Sequence, residues 1–237
     1  MKINKIPFLA PLLFVITFFS CNTVSKNIKD PSVLKWEEDI KVFDSLNYIE
    51  PADRKTILVT GSSSVRRWDS IHSDLAPFRV MQRGYGGAKL SDFNHYAVRI
   101  IPQGTFRAIV VFVANDISGK DNDCTPEEMY LLYRNLISQV RRHNPRTPVF
   151  WIETTPTPSR WHVYPQVSTA NELIREYCSK RHGLYFIETR EVFINREGVP
   201  DPGFFVPDML HLNRNGYLRW STVIKESLES AGISSSS

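Results

Sequence analysis

Apolar residues fall into two patterns that alternate along the chain. Short continuous apolar runs, rich in β-branched and aromatic types, occupy residues 56–60 (TILVT), 78–82 (FRVMQ), 108–113 (AIVVFV), 148–153 (PVFWIE) and, more weakly, 184–187 (LYFI). Runs of this kind, without polar alternation, predict strands buried on both faces, the pattern of a parallel sheet. Between them the apolar positions recur at three- and four-residue steps. Met129, Leu132, Tyr133, Leu136, Ile137 and Val140 follow Thr125-Pro126-Glu127-Glu128, a capping box with Pro at the first helical position, and Asn144-Pro145 stops that helix. Ala170, Leu173, Ile174, Tyr177 and Cys178 mark a second helix, ended by Gly183; Tyr217, Trp220, Ile224 and Leu228 mark the last. Residues 33–46 predict a leading helix. Strands and helices alternating through short loops predict an α/β domain, a three-layer α/β/α sandwich around a parallel sheet.

The first twenty residues depart from this pattern. Lys2 and Lys5 precede an apolar stretch at residues 6–19, interrupted by Pro7 and Pro11. It is too short and too broken for a transmembrane helix. Ser20-Cys21 at its end resembles a bacterial lipobox, which implies removal of residues 1–20 and lipidation of Cys21. A plain signal peptide and an uncleaved anchor are the alternatives, and all three send the domain across a membrane. The expected organisation is a signal peptide at 1–20, a polar tether at 22–30, the domain at 31–230 and a frayed tail at 231–237. The expected location is the bacterial cell envelope, with the lipid as membrane anchor.

Composition changes this picture little. With 237 residues, 42% hydrophobic and 23% charged, the chain has ordinary globular make-up. That length suits one domain with a full core and no need of staples. The formal charge of +4 falls to +2 without Lys2 and Lys5, too weak a balance to argue for nucleic acid. Paired basic residues such as Arg141-Arg142 sit beside expected helices and read as solvated faces. Cys178 reads as a small buried hydrophobe, and whether it meets Cys124 stays open.

In open parallel sheets, ligands bind at the carboxyl ends of the strands. Those ends carry, in order, Gly61-Ser62-Ser63-Ser64, Gly84-Tyr85-Gly86-Gly87, Asn115-Asp116, a Thr/Pro loop at 154–161 and, beyond a Pro-rich stretch, Asp208-Met209-Leu210-His211. From about residue 56 to residue 228 this ordered set resembles the SGNH branch of the GDSL lipase/acylhydrolase family. The resemblance implies a five-stranded parallel sheet in flavodoxin-like order, with Ser63 as nucleophile and Asp208 and His211 completing a triad. It also implies an oxyanion hole of the Ser63 N–H, the Gly87 N–H and the Asn115 side chain. Two positions depart from the family's blocks: Ser62 stands where Asp is usual, and Val113 where Gly is usual.

The residue types suit that chemistry. A serine hydroxyl needs a base within hydrogen-bond reach. An imidazole can take the proton near neutral pH, and a carboxylate three residues earlier can hold it in one tautomer. Each oxyanion donor is worth about 3–4 kcal/mol of transition-state stabilisation. Glycines at 86 and 87 would allow close backbone approach. Each loop alone reads equally as a turn or a cap; four of them in order after strands carry the argument.

Competing motifs fail on particular residues. The Gly-Ser loop lacks the Lys of a P-loop, and Val65 stands where the nucleophile elbow of α/β-hydrolases needs a second Gly. The glycines at 84–87 lack the downstream spacing of a dinucleotide fingerprint. The six histidines show no metal-ligand spacing, so neither metal nor cofactor is expected. Arg160 and Trp161 follow the fourth strand and could overhang the site as substrate-binding residues, although Trp161 reads equally as loop packing. Trp68 reads as core.

The expected activity is two-step hydrolysis of carboxylic esters carried by a small molecule or an oligosaccharide, with carbohydrate acetyl esters first by family analogy. Lysophospholipids or other short acyl esters come second. A catalytically silent binding module on the same fold is the alternative from another class, supported by Ser62 and Val113.

Overall fold

The computed structural model describes residues 31–234. The expected signal segment, lipid site and tether therefore lie outside the described residues. Strands form at β1 (Thr56–Gly61), β2 (Arg79–Gly84), β3 (Ala108–Phe112), β4 (Val149–Ile152) and β5 (Leu184–Ile187). All pair in parallel, in the order β2-β1-β3-β4-β5. This is the expected flavodoxin-like arrangement, and the reversal of strand order beside β1 opens the crevice where such sheets bind ligands.

The apolar runs divide their side chains between two cores, one on each face. Leu58, Ile109, Val111, Val149 and Trp151 pack into one; Ile57, Val59, Val110, Phe150 and Ile152 pack into the other. Helices cover both faces. They are α1 (Pro31–Leu34), α2 (Glu37–Ile49), α3 (Ser63–Arg66), α4 (Ile71–Asp74), α5 (Leu90–Ile100), α6 (Pro126–His143), α7 (Tyr164–Ser179), α8 (Arg190–Phe193) and α9 (Arg214–Ser230).

Three elements differ from the sequence reading. The leading helix is two pieces, α1 and α2, and Trp36 at the break sets its ring edge-on against Tyr85, with 5.3 Å between centroids. Helix α5 was not expected. Its first N–H, that of Leu90, is capped at 2.9 Å by the buried carboxylate of Asp116, which arrives from the loop after β3. The local contact is weak, with the Lys89 N–H reaching Asp92 at 3.4 Å, and the shorter bond comes from 26 residues away. Residues 231–233, expected within the tail, pack onto the end of α9. Gly232, at φ 77°, closes α9 with a Schellman motif in which the N–H of Ile233 reaches Leu228 O and that of Gly232 reaches Glu229 O.

Cys124 and Cys178 are both free. Cys178 is buried as expected, with its Sγ 3.0 Å from the Tyr133 hydroxyl, and burial pushes its thiol up to about 11. Trp68 is fully buried, stacked on Tyr217. Among the described residues, no helix is long and apolar enough to cross a membrane.

Candidate active site

Ser63 is the first residue of α3, two positions beyond the end of β1. Gly61 makes that exit possible. Its φ is +146°, and a Cβ there would lie 1.9 Å from Phe112 O on the neighbouring strand. As the first helical residue, Ser63 has no intrahelical acceptor for its own N–H, which leaves that donor available to a ligand.

His211 approaches from the chain segment before α9. Its Nε2 lies 2.9 Å from Ser63 Oγ, and its Nδ1 lies 2.7 Å from Asp208 Oδ2. The other oxygen of Asp208 accepts from the N–H groups of Leu210 and His211, each at 2.9 Å. Burial alone would raise the Asp208 carboxyl. The His211 N–H and ring, then the Leu210 N–H, outweigh burial and hold it at about 2. The carboxylate is therefore ionised and fixes the imidazole with Nδ1 protonated and Nε2 free to accept from the serine. Met209 takes φ 56°, a left-handed turn that folds Asp208 and His211 onto one another. Among the three consecutive serines only Ser63 is bonded to His211. Ser62 is buried at the helix cap, and the Ser64 carbonyl is engaged by the Tyr217 hydroxyl at 2.9 Å.

The loops are clamped by residues the sequence reading did not single out. Arg214, three positions after His211, grips Asp74 with both guanidinium nitrogens at 2.5 and 2.6 Å. The same carboxylate accepts from Trp68 Nε1 and Ser70 Oγ. Burial pushes against its ionisation, but Arg214, Ser70 and Trp68 bring the Asp74 carboxyl down to about 2. This clamp ties the start of α9, and so the His211 loop, to the segment behind Ser63. Asn213 adds a second tie: its side chain accepts from the Gly216 N–H and donates to Gly203 O and Phe205 O. An Asn before an apolar helical run is a cap signal, so Asn213 was legible; the Asp74–Arg214 pair, 140 residues apart, was not.

On the other side of Ser63, Asn115 donates from Nδ2 to Ala88 O at 2.9 Å, and its Oδ1 accepts from Arg160 Nη2 at 2.9 Å. Arg160 also donates to Ala114 O at 2.6 Å. The guanidinium thus settles which end of the Asn115 amide is oxygen and directs the NH2 group, with one hydrogen to spare, away from itself. Arg160 lines the cavity beside Ser63, and its described hydrogen bonds go to the loop after β3, where it holds Asn115. Trp161 does not line the cavity. It stacks on Tyr164 with 4.9 Å between ring centroids. Gly87 also lies outside the cavity lining. It holds φ 69°, next to the Trp36 ring, and the Asn115–Ala88 bond ties its loop to the loop after β3.

The cavity itself is small. Ser63, His211, Asn115, Thr154, Tyr164 and Leu210 are among its lining. A serine bonded to an imidazole, the imidazole bonded to a carboxylate, and amide donors nearby form an arrangement suited to acyl transfer.

Comparison with known proteins gives the arrangement its family. The model of the GDSL-like Lipase/Acylhydrolase family matches residues 52–219. The chain belongs to this family. It is accordingly an ester-bond hydrolase with the SGNH fold. Solved structures share that fold at low sequence identity. A Streptococcus pneumonia protein, provisionally described as a platelet activating factor, is 21% identical over 83% of this chain and 94% of its own, with TM-score 0.72. A GDSL-like lipase from Bacteroides thetaiotaomicron is 15% identical over 81% and 98%, with TM-score 0.63. A carbohydrate esterase family 3 protein from Talaromyces cellulolyticus is 15% identical over 77% and 99%, with TM-score 0.57. No curated protein matches the acylhydrolase.

Proposed function

We propose that this acylhydrolase removes short acyl groups, acetyl first, from carbohydrate by an acyl-enzyme mechanism at Ser63. The observation that carries the reading is the continuous bonding from Ser63 Oγ through His211 to Asp208. In the first step Ser63 Oγ attacks the ester carbonyl carbon while its proton passes to His211 Nε2. The carbonyl electron pair moves onto oxygen, where the Ser63 N–H, the spare Asn115 amide hydrogen and the Gly87 N–H are the proposed donors. Collapse expels the alcohol oxygen, which takes the proton from His211. Water then repeats the sequence against the acyl-serine, with His211 as base and then acid, and the free acid leaves.

The carbohydrate esterase among the proteins of like fold supports a sugar alcohol. The proposal extends to place: a domain tethered through lipidated Cys21 would act on envelope or extracellular esters. Loss of labelled fatty-acid incorporation in Cys21→Ser tests that part.

The reaction is tested with nitrophenyl acetate and a fluorophosphonate probe. Wild type should hydrolyse the ester and be labelled at Ser63, and Ser63→Ala should do neither. Full activity in Ser63→Ala would sink the assignment. A wild type that is folded but unlabelled would favour the silent binding module. A panel of acetylated oligosaccharides and lysophospholipids then separates the substrate classes.

A further inference from the structure

We propose that Thr154, Thr157 and Tyr164 form an uncharged hydrogen-bonding subsite for a hydroxyl carried within a few bonds of the scissile ester. The inference rests on the esterase reading above and deepens it. All three residues line the cavity that holds Ser63 and His211. Their hydroxyl oxygens are shut off from solvent and have no hydrogen-bond partner among the described residues. Thr154 and Tyr164 are only 7% and 6% exposed. Buried hydroxyls are ordinarily paired, since an unmatched one forfeits its bonds to water.

Neighbours of the same type show that the loop can satisfy its polar groups. The Thr155 hydroxyl, also on the cavity wall, meets Thr189 Oγ1 at 2.9 Å and Trp220 Nε1 at 3.1 Å. The backbone N–H of Thr154 meets Asn171 Oδ1 at 3.1 Å. Other unpartnered atoms, such as Trp151 Nε1 and Asn144 Oδ1, do not line this cavity. The three residues thus share the wall of the cavity that holds Ser63 and His211.

Their chemistry defines the ligand. Each can donate one hydrogen bond and accept others. Burial pushes the Tyr164 phenol well above its ordinary range, so it stays neutral. The nearby guanidinium of Arg160 is directed to Ala114 O and Asn115 Oδ1. The subsite therefore suits a neutral group that both donates and accepts, which describes an alcohol. The hydroxyl can lie on the acyl side, as in a hydroxyacetyl ester, or on the alcohol side, as the neighbouring hydroxyl of a sugar ring.

Two matched pairs of esters distinguish these sources. Methyl glycolate against methyl propanoate tests the acyl side, exchanging OH for CH3. A vicinal cyclohexanediol monoacetate against cyclohexyl acetate tests the alcohol side. The readout is the ratio of kcat/KM within each pair, which cancels a general loss of activity. Wild type should prefer the hydroxylated member of one pair by about ten-fold or more. Thr154→Val, Thr157→Val and Tyr164→Phe should each move that ratio toward one. A wild-type ratio of one in both pairs, or variants that keep the preference, would overturn the proposal and leave water as the partner of these hydroxyls. Failure of the underlying esterase reading looks different: no hydrolysis of nitrophenyl acetate and no fluorophosphonate labelling at Ser63.

Discussion

Two walls of one cavity are built on opposite terms. On the wall formed by Ser63 and the Asp208–His211 turn, both ring nitrogens of His211 and both carboxylate oxygens of Asp208 have partners. On the wall formed after β4, the hydroxyls of Thr154, Thr157 and Tyr164 have none among the described residues. The first wall is complete before any substrate arrives. Such preorganisation matters for chemistry, because groups aimed in advance need no rearrangement as charge develops. The second wall is incomplete, and an incomplete polar wall is what selects a ligand that can finish it.

The comparison breaks most severely at the nucleophile. Ser63→Ala should lower kcat on nitrophenyl acetate by at least about 10⁴-fold, with an unchanged far-ultraviolet circular dichroism spectrum. Asp208→Asn comes next. It keeps the shape of the turn but removes the charge that fixes the His211 tautomer, and kcat should fall by about 10³–10⁴-fold. A loss under ten-fold would mean that the carboxylate only shapes the turn.

Arg160 sits between the two walls and sharpens the contrast. Replacing it with Met removes the bond to Asn115 Oδ1 and frees the amide to rotate. We expect kcat to fall by about 10–100-fold, a positioning loss smaller than removal of the donor itself. KM on nitrophenyl acetate should move less, since that ester brings no partner for a guanidinium. A change in KM alone would make Arg160 a binding group rather than a support for Asn115.

The smallest expected effect concerns stability. Asp74 has its carboxyl lowered from 3.8 to about 2 in the fold. The charged form is favoured there, so its contribution is present in full above about pH 4. It is lost as pH falls from about 4 through about 2, an amount of about 1–2 kcal/mol once the exposure of Arg214 is allowed for. Urea unfolding of wild type and Asp74→Asn across pH 2–6 checks this. The variant should be less stable at pH 6, and the difference should shrink toward pH 2. A constant difference would assign the clamp's value to packing.

Legibility along the chain followed the range of the interactions. Helix α6 matched its signals because the cap at Thr125, the Pro at 126 and the apolar stripe are all local. Strands β1 and β3 were legible because both faces are buried, which makes the whole run apolar. Helix α5 was missed although its apolar residues are spaced correctly, since its shortest cap bond comes from the distant Asp116 and the local one to Asp92 is long. Within the site, Ser63, Asn115 and His211 could be named from residue types and order. The roles of Arg160 and Trp161 could not, because their neighbours in space are Asn115 and Tyr164 rather than anything their own stretch of sequence indicates.

By itself the amino-acid sequence determined the alternation of buried strands and amphipathic helices, and which polar residues stand at the strand ends. Those are consequences of periodicity and local turn chemistry, which act over a few residues. Only the tertiary structure decided which of three adjacent serines meets the imidazole, since Ser63 and His211 lie 148 residues apart and meet at 2.9 Å. It also decided that the Thr155 hydroxyl is paired while those of Thr154 and Thr157 have no partner among the described residues. Hydrogen bonding is short-ranged and directional, so partners are fixed by where the folded loops bring their atoms and not by the order in which the residues are written.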